Sequence, residues 1–167
     1  MIPVRAARPE DAAELVRLRR VMFQAMTGRD EPGDWEEAAR EMVRALLSGK
    51  GTAELGAFVV DADAGGDGAD GAGGLAACAV GTIEQRLPAP AHPSGRFGFV
   101  FNVCTDPGHR GRGYARATTE ALLDWFAERG VTRVDLHATP EAERIYRDFG
   151  FAEHSIALSL DVSERAG

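Results

Sequence analysis

The residues best suited to chemistry lie together at Arg110-Gly111-Arg112-Gly113-Tyr114-Ala115-Arg116. An apolar run at residues 99–103 precedes them, a turn signal follows at Asp106-Pro107-Gly108, and a helical pattern begins at once after the glycines. A strand that turns through glycines into a helix leaves backbone N–H groups without intrahelical partners. Such groups favour an anion, above all a phosphate. Gly111 and Gly113 permit positive φ and close backbone approach, and Arg110, Arg112 and Arg116 add positive charge. Two nucleotide-binding turns are excluded. A triphosphate loop needs Gly-Lys-Ser/Thr after its glycines, and no lysine is present here. A dinucleotide fingerprint needs a third glycine where Arg116 stands, in an N-terminal βαβ unit.

The flanking sequence supplies the elements that must hold this turn. Residues 2–6 read as a strand. Pro9 opens a helix with Ala12, Leu15, Val16, Met22, Phe23 and Met26 at helical spacing. Asp34 with Glu37 reads as an N-cap pair, followed by the stripe Trp35, Ala38, Ala39, Met42, Val43, Leu46 and Leu47. Residues 57–60 and 75–83 are strand-like. The Asp/Ala/Gly run between them, at 61–74, has nothing large to bury and reads as a flexible hairpin loop. Its spacing is not that of a calcium-binding EF-hand. Prolines mark a loop over 87–95, with His92 inside it. A strand at 96–105 leads into the glycine turn. A helix carrying Ala115, Thr119, Leu122, Leu123 and Phe126 stops at Gly130. Residues 131–138 form a strand. Pro140 opens a helix with Ala142, Ile145, Tyr146 and Phe149 on one face, stopped at Gly150. Alternation at Ile156, Leu158 and Leu160 predicts a final strand over 151–160. The order β-α-α-β-β-β-α-β-α-β predicts a mixed α/β fold, with residues 1–167 as a single domain.

Bulk properties narrow the function. The 167-residue chain is 44% hydrophobic, with 19 basic against 26 acidic residues and a formal net charge of -7. That surplus argues against nucleic-acid binding through bulk charge. Cys78 and Cys104 sit in apolar runs and read as packed thiols. Neither a C-x-x-C pair nor a Cys/His cluster is present, so no metal is expected. With no membrane-length apolar run and no signal-like N-terminus, a cytoplasmic location is the expectation.

Two motifs in order carry a resemblance to the GCN5-related N-acetyltransferase (GNAT) family. The family's pyrophosphate signature is Arg or Gln, two residues, Gly, one residue, then Gly or Ala; Arg110, Gly113 and Ala115 match it. The family's later helix reads Asn-x-x-Ala-x-x-x-Tyr followed by Gly-Phe; Ala142, Tyr146, Gly150 and Phe151 match, with Thr139 in the asparagine position. The opening V-R-A-A-R-P-E-D-A also resembles the family's first strand and helix entry. The resemblance implies a central, mostly antiparallel sheet, splayed at the fourth and fifth strands, with helices on both faces.

It further implies an acyl-CoA-dependent N-acyltransferase with acetyl-CoA as donor and a primary amine of a small molecule, peptide or protein as acceptor. Backbone groups of Val103, Cys104 and Thr105 would pair with the pantetheine as an added strand. The turn from Arg110 through Gly111, Arg112, Gly113, Tyr114 and Ala115 to Arg116 would cradle the pyrophosphate, and Thr139 would stand where the family holds the pantetheine arm. Tyr146 would be the general acid for the leaving thiolate, and Glu84, ending the third strand, the base for the amine. Asn102 and His137 are lesser base candidates. Met22, Phe23, Met26 and Trp35 either line the acceptor pocket or fill the core, and their spacing favours the core. No membrane or nucleic-acid partner is expected, and a homodimer fits the resemblance. The alternative to an enzyme is a non-catalytic acyl-CoA-binding sensor or interaction module, which would keep the glycine turn without needing Tyr146 or a base.

Overall fold

The structure is a computed structural model that describes residues 1–62 and 74–166. The expected Asp/Gly hairpin loop falls largely outside the described residues. The chain divides into two compact units, Met1–Leu136 and His137–Gly167.

The first unit is built on a five-stranded sheet in sequential order: β1 (Arg5–Ala6), β2 (Glu54–Asp61), β3 (Leu75–Gln85), β4 (Arg96–Thr105) and β5 (Arg133–Leu136). All neighbours are antiparallel except β4 and β5, which run parallel. Three helices accompany it: α1 (Ala12–Thr27), α2 (Trp35–Leu47) and α3 (Tyr114–Glu128). Side-chain alternation in the central strands feeds two main cores, and Val60, Ala76 and Ala77 form a third, smaller cluster. Ala57, Val59, Cys78, Val80 and Cys104 pack with Leu15 and Leu18 of α1, and Val43 and Leu47 of α2 join them. Ala79, Ile83 and Val100 pack with Leu122 and Phe126 of α3 on the other face. Because both faces are covered, β3 is almost uniformly apolar, and Leu75 to Val80 are all buried.

Helix α3 lies close because the sheet beneath it carries no side chains at two points. A Cβ at Gly98 would stand 2.8 Å from Phe126 Cε1, and one at Gly81 would stand 2.8 Å from Phe126 Cζ. This approach fixes the axis of α3 and therefore the position of its N-terminus beyond the end of β4. No helix among the described residues is long and apolar enough to cross a membrane.

The second unit holds α4 (Glu143–Phe149) and a terminal 3-10 turn (Ser163–Ala166). Helix α4 starts three residues later than Pro140 suggests. Residues 140–142 form a turn, and the Thr139 carbonyl accepts the Ala142 and Glu143 N–H groups. The predicted strand at 151–160 is not formed, and Ile156, Leu158 and Leu160 stand exposed. Alternation marks a strand that has one apolar partner face; among the described residues these have neither a ladder partner nor a buried face.

Candidate active site

The glycine turn forms as its residues dictate. Gly111 (φ +78°) and Gly113 (φ +81°) both adopt left-handed backbone, and Gly113 caps α3. The first helical bond runs from Ala117 N–H to the Gly113 carbonyl. The N–H groups of Tyr114, Ala115 and Arg116 therefore precede any intrahelical acceptor and point out of the helix end. Arg110, Arg112 and Arg116 are exposed around them.

A brace absent from the sequence reading holds the turn. The Asp106 carboxylate accepts the Gly108 N–H (3.2 Å), His109 Nδ1 (3.2 Å) and Arg17 Nη1 (2.8 Å). Arg17 also donates to Glu14 (2.7 Å) and to the Leu75 carbonyl (3.0 Å), tying the exit of β4 to α1 and β3. Burial alone would raise the Asp106 carboxyl. The donors outweigh it and hold the group below the usual carboxylate range.

Strand β4 supplies an open edge. Its ladder with β5 covers residues 97–100 only, while β4 continues to Thr105. Among the described residues no strand ladder covers the outer edge of 101–105, which includes Val103, Cys104 and Thr105. A bulge sits where β5 leaves. Val80 faces Asn102 and Gly81 faces Val100, so Phe101 is an extra residue in β4. The bulge turns Phe101 toward the α1 face, where it packs against the α1/α2 core beside Asn102.

Cys78 and Cys104 are register partners, and both are buried free thiols. Burial pushes Cys104 up to about 11, against the charges of Arg110 and Arg17, and pushes Cys78 up to about 12. At neutral pH both are protonated, so neither is an activated nucleophile.

Over the bulge, α1 presents an arginine that the sequence reading passed over. Arg19 Nη1 donates to Asn102 Oδ1 (3.2 Å), and Asn102 Nδ2 donates to Cys78 Sγ (3.4 Å). The Arg19 guanidinium lies 4.6 Å from the Phe23 ring centroid and 5.5 Å from that of Phe101. Phe23 in turn meets Trp35 edge-on at 5.9 Å. Arg19 and Phe23 are i and i+4 on a helix, a spacing that brings side chains together and was the available signal. Asn102 is held in this network, and an amide has no basic form to accept an amine proton.

Glu84 stands elsewhere. It is exposed, paired with Arg86 (3.0 Å), and opposite Phe97 in the ladder. Six residues of strand separate Phe97 from Val103, about 20 Å. The structure therefore does not bring Glu84 to Val103, Cys104 and Thr105. His92 packs on Phe97 (5.1 Å) and meets Thr132 Oγ1 (2.8 Å). Met22 and Phe23 are half-buried, whereas Met26 is exposed. Among the described residues no group of three or more His, Cys, Asp and Glu side chains is placed to hold a metal ion.

In the second unit, Tyr146 is the buried residue of α4 and meets Phe151 edge-on at 5.9 Å. Burial raises its phenol above the usual tyrosine value, keeping the proton on oxygen. Thr139 sits before α4, its carbonyl engaged by the helix start.

Comparison with known proteins follows the same lines. Over 62 residues the chain is 39% identical to a mycothiol acetyltransferase of Beutenbergia cavernae, a match spanning 35% of this chain and 21% of that protein. The chain thus spans about a fifth of the length of that curated relative. In fold it is similar to a predicted acetyltransferase from Clostridium acetobutylicum solved with acetyl-CoA (TM-score 0.78, 21% identity, 98% of each chain covered). It is also similar to a GCN5-related N-acetyltransferase from Ralstonia eutropha JMP134 (TM-score 0.73, 22% identity, 96% of this chain and 99% of that one). The family model for acetyltransferases of the GNAT type matches residues 20–151, from α1 through the Gly150-Phe151 pair, and the chain belongs to the acetyltransferase (GNAT) family.

Proposed function

We propose that this protein transfers an acetyl group from acetyl-CoA to a primary amine by direct attack. The observation that carries the reading is the continuity of β4 with the glycine turn. The β4 edge at 101–105, without a strand partner among the described residues, leads through the turn at 106–112 into an N–H-lined helix end at 113–116. That sequence of features suits a donor with an amide-containing arm and a pyrophosphate at one end. The arm adds to the β4 edge through Val103, Cys104 and Thr105 as an extra strand would. The N–H groups after Gly113 take the pyrophosphate, assisted by the surrounding arginines.

A backbone N–H near Cys104 polarises the thioester carbonyl as the amine attacks. Tyr146 gives its phenol proton to the leaving thiolate, and the proton that the amine loses on attack passes to solvent and restores the phenol; the protonated phenol and its place in the family motif support that role. The protonated state of Cys104 supports direct transfer over an acyl-cysteine.

The test is calorimetric titration with acetyl-CoA, followed by an amine panel with mass-spectrometric detection of acetylated product. Binding with amine-dependent release of CoA supports the proposal. Binding without release against any amine favours a CoA-binding module, and no binding removes both.

A further inference from the structure

Each arginine among the described residues is exposed or pairs with a carboxylate, with one exception. Arg5, Arg17 and Arg20 each grip two carboxylates, and Arg40, Arg96 and Arg133 each pair with at least one. Arg19 is half-buried, and no carboxylate of the described residues reaches it. Its contacts are all neutral: one amide oxygen and two phenyl rings. In a chain this rich in acids, with 26 Asp and Glu, a half-buried cation without a counter-ion among the described residues is out of pattern. Desolvation lowers its pKa, whereas carboxylates raise those of Arg17 and Arg20 on the same helix.

The position matters as much as the charge. Arg19 leans on Phe101 and Asn102, the two residues of the bulge where β5 leaves β4. From Asn102 to Cys104 is roughly 7 Å along the strand. The rings of Phe23 and Phe101 lie against the guanidinium, at 4.6 and 5.5 Å. With a single N–H given to Asn102, the remaining donors form a planar fork suited to a carboxylate.

We propose that Arg19 is a specificity-determining residue that binds a carboxylate of the acceptor, so that the preferred acceptor is an amine carrying an acidic group. This rests on the acetyltransferase reading above and names the substrate class for the same site. Phe23, Phe101 and Asn102 are positioning residues that hold the fork.

The test uses matched probes: ω-amino carboxylates of two to six carbons and the corresponding amides. Acetyl transfer and ligand-observed NMR binding are both measured for the wild-type chain, Arg19→Met and Arg19→Lys. The wild type should favour the acid over its amide by roughly 10- to 100-fold, the range expected for hydrogen bonds to a charged group. In Arg19→Met that ratio should fall to about 1. Arg19→Lys, which keeps charge without the fork, should lie between them. A merely structural arginine would depress acid and amide together and leave the ratio unchanged. Equal binding of acid and amide by the wild type, or a preference that survives Arg19→Met, overturns the proposal. If no amine is acetylated and acetyl-CoA does not bind, the acetyltransferase reading fails, while the NMR ratio still decides the carboxylate contact.

Discussion

In the proposed site, the donor side and the acceptor side are built from different materials. The glycine turn and the β4 edge offer backbone groups: N–H groups ahead of Ala117 and the unpaired strand beyond Val100. The α1 side offers side chains, namely Arg19 stacked on Phe23 and Phe101 and bonded to Asn102. A backbone site depends on φ, ψ and helix position and tolerates many side chains, so its sequence signature is short and general. A side-chain site depends on which residues of distant segments meet, and it has no local signature. The first suits a donor shared across a family; the second suits an acceptor particular to one protein.

Four further substitutions would break or sharpen this contrast. The largest expected effect is on the chemical step. Tyr146→Phe should lower kcat by roughly 10- to 1000-fold with acetyl-CoA affinity retained; turnover equal to wild type with the best acceptor would remove the phenol from the mechanism. On the donor side, Gly113→Val forces a β-branched residue to φ +81° and sets a side chain at the helix end. Acetyl-CoA affinity should drop by roughly 10- to 100-fold in calorimetry, from strain and blocked approach together. An unaltered Kd would contradict a backbone cradle.

Asp106→Asn probes the brace behind the turn. The folded Asp106 carboxyl lies below its unfolded value of about 4, so it adds stability above that pH and loses it as pH falls through the folded value. Wild-type Tm should therefore fall more steeply than that of Asp106→Asn between about pH 5 and pH 2. Parallel curves would mean the carboxylate holds nothing. The smallest effect is expected from Glu84→Gln, since Glu84 is exposed, ion-paired and opposite Phe97, far along the sheet from Val103. Its kcat should change by less than about twofold, within the range of surface substitutions, and a flattened acidic limb of the rate profile would restore it as the base.

Periodicity found α1, α2 and α3 because each buries a repeating face against the sheet, and apolar runs found β2 to β4. It overreached at 151–160, where Ile156, Leu158 and Leu160 alternate without a partner edge. Alternation states a preference for pairing and cannot supply the strand to pair with. It also favoured core filling over pocket lining for Phe23, because a helix face that meets a guanidinium has the same spacing as one that packs on a sheet.

The sequence by itself determined the turn at 110–116, since Gly111 and Gly113 select left-handed backbone and a helix start has free N–H groups wherever it occurs. Local chemistry sufficed there. Only the tertiary structure decided that Phe101 is an extra residue in β4, that Arg17 braces Asp106 across 89 positions of chain, and that Arg19 meets no carboxylate among the described residues. Each of those facts is a meeting of remote segments. The ladder register and the approach of α1 to the sheet set it, and neither is written in any one stretch of residues.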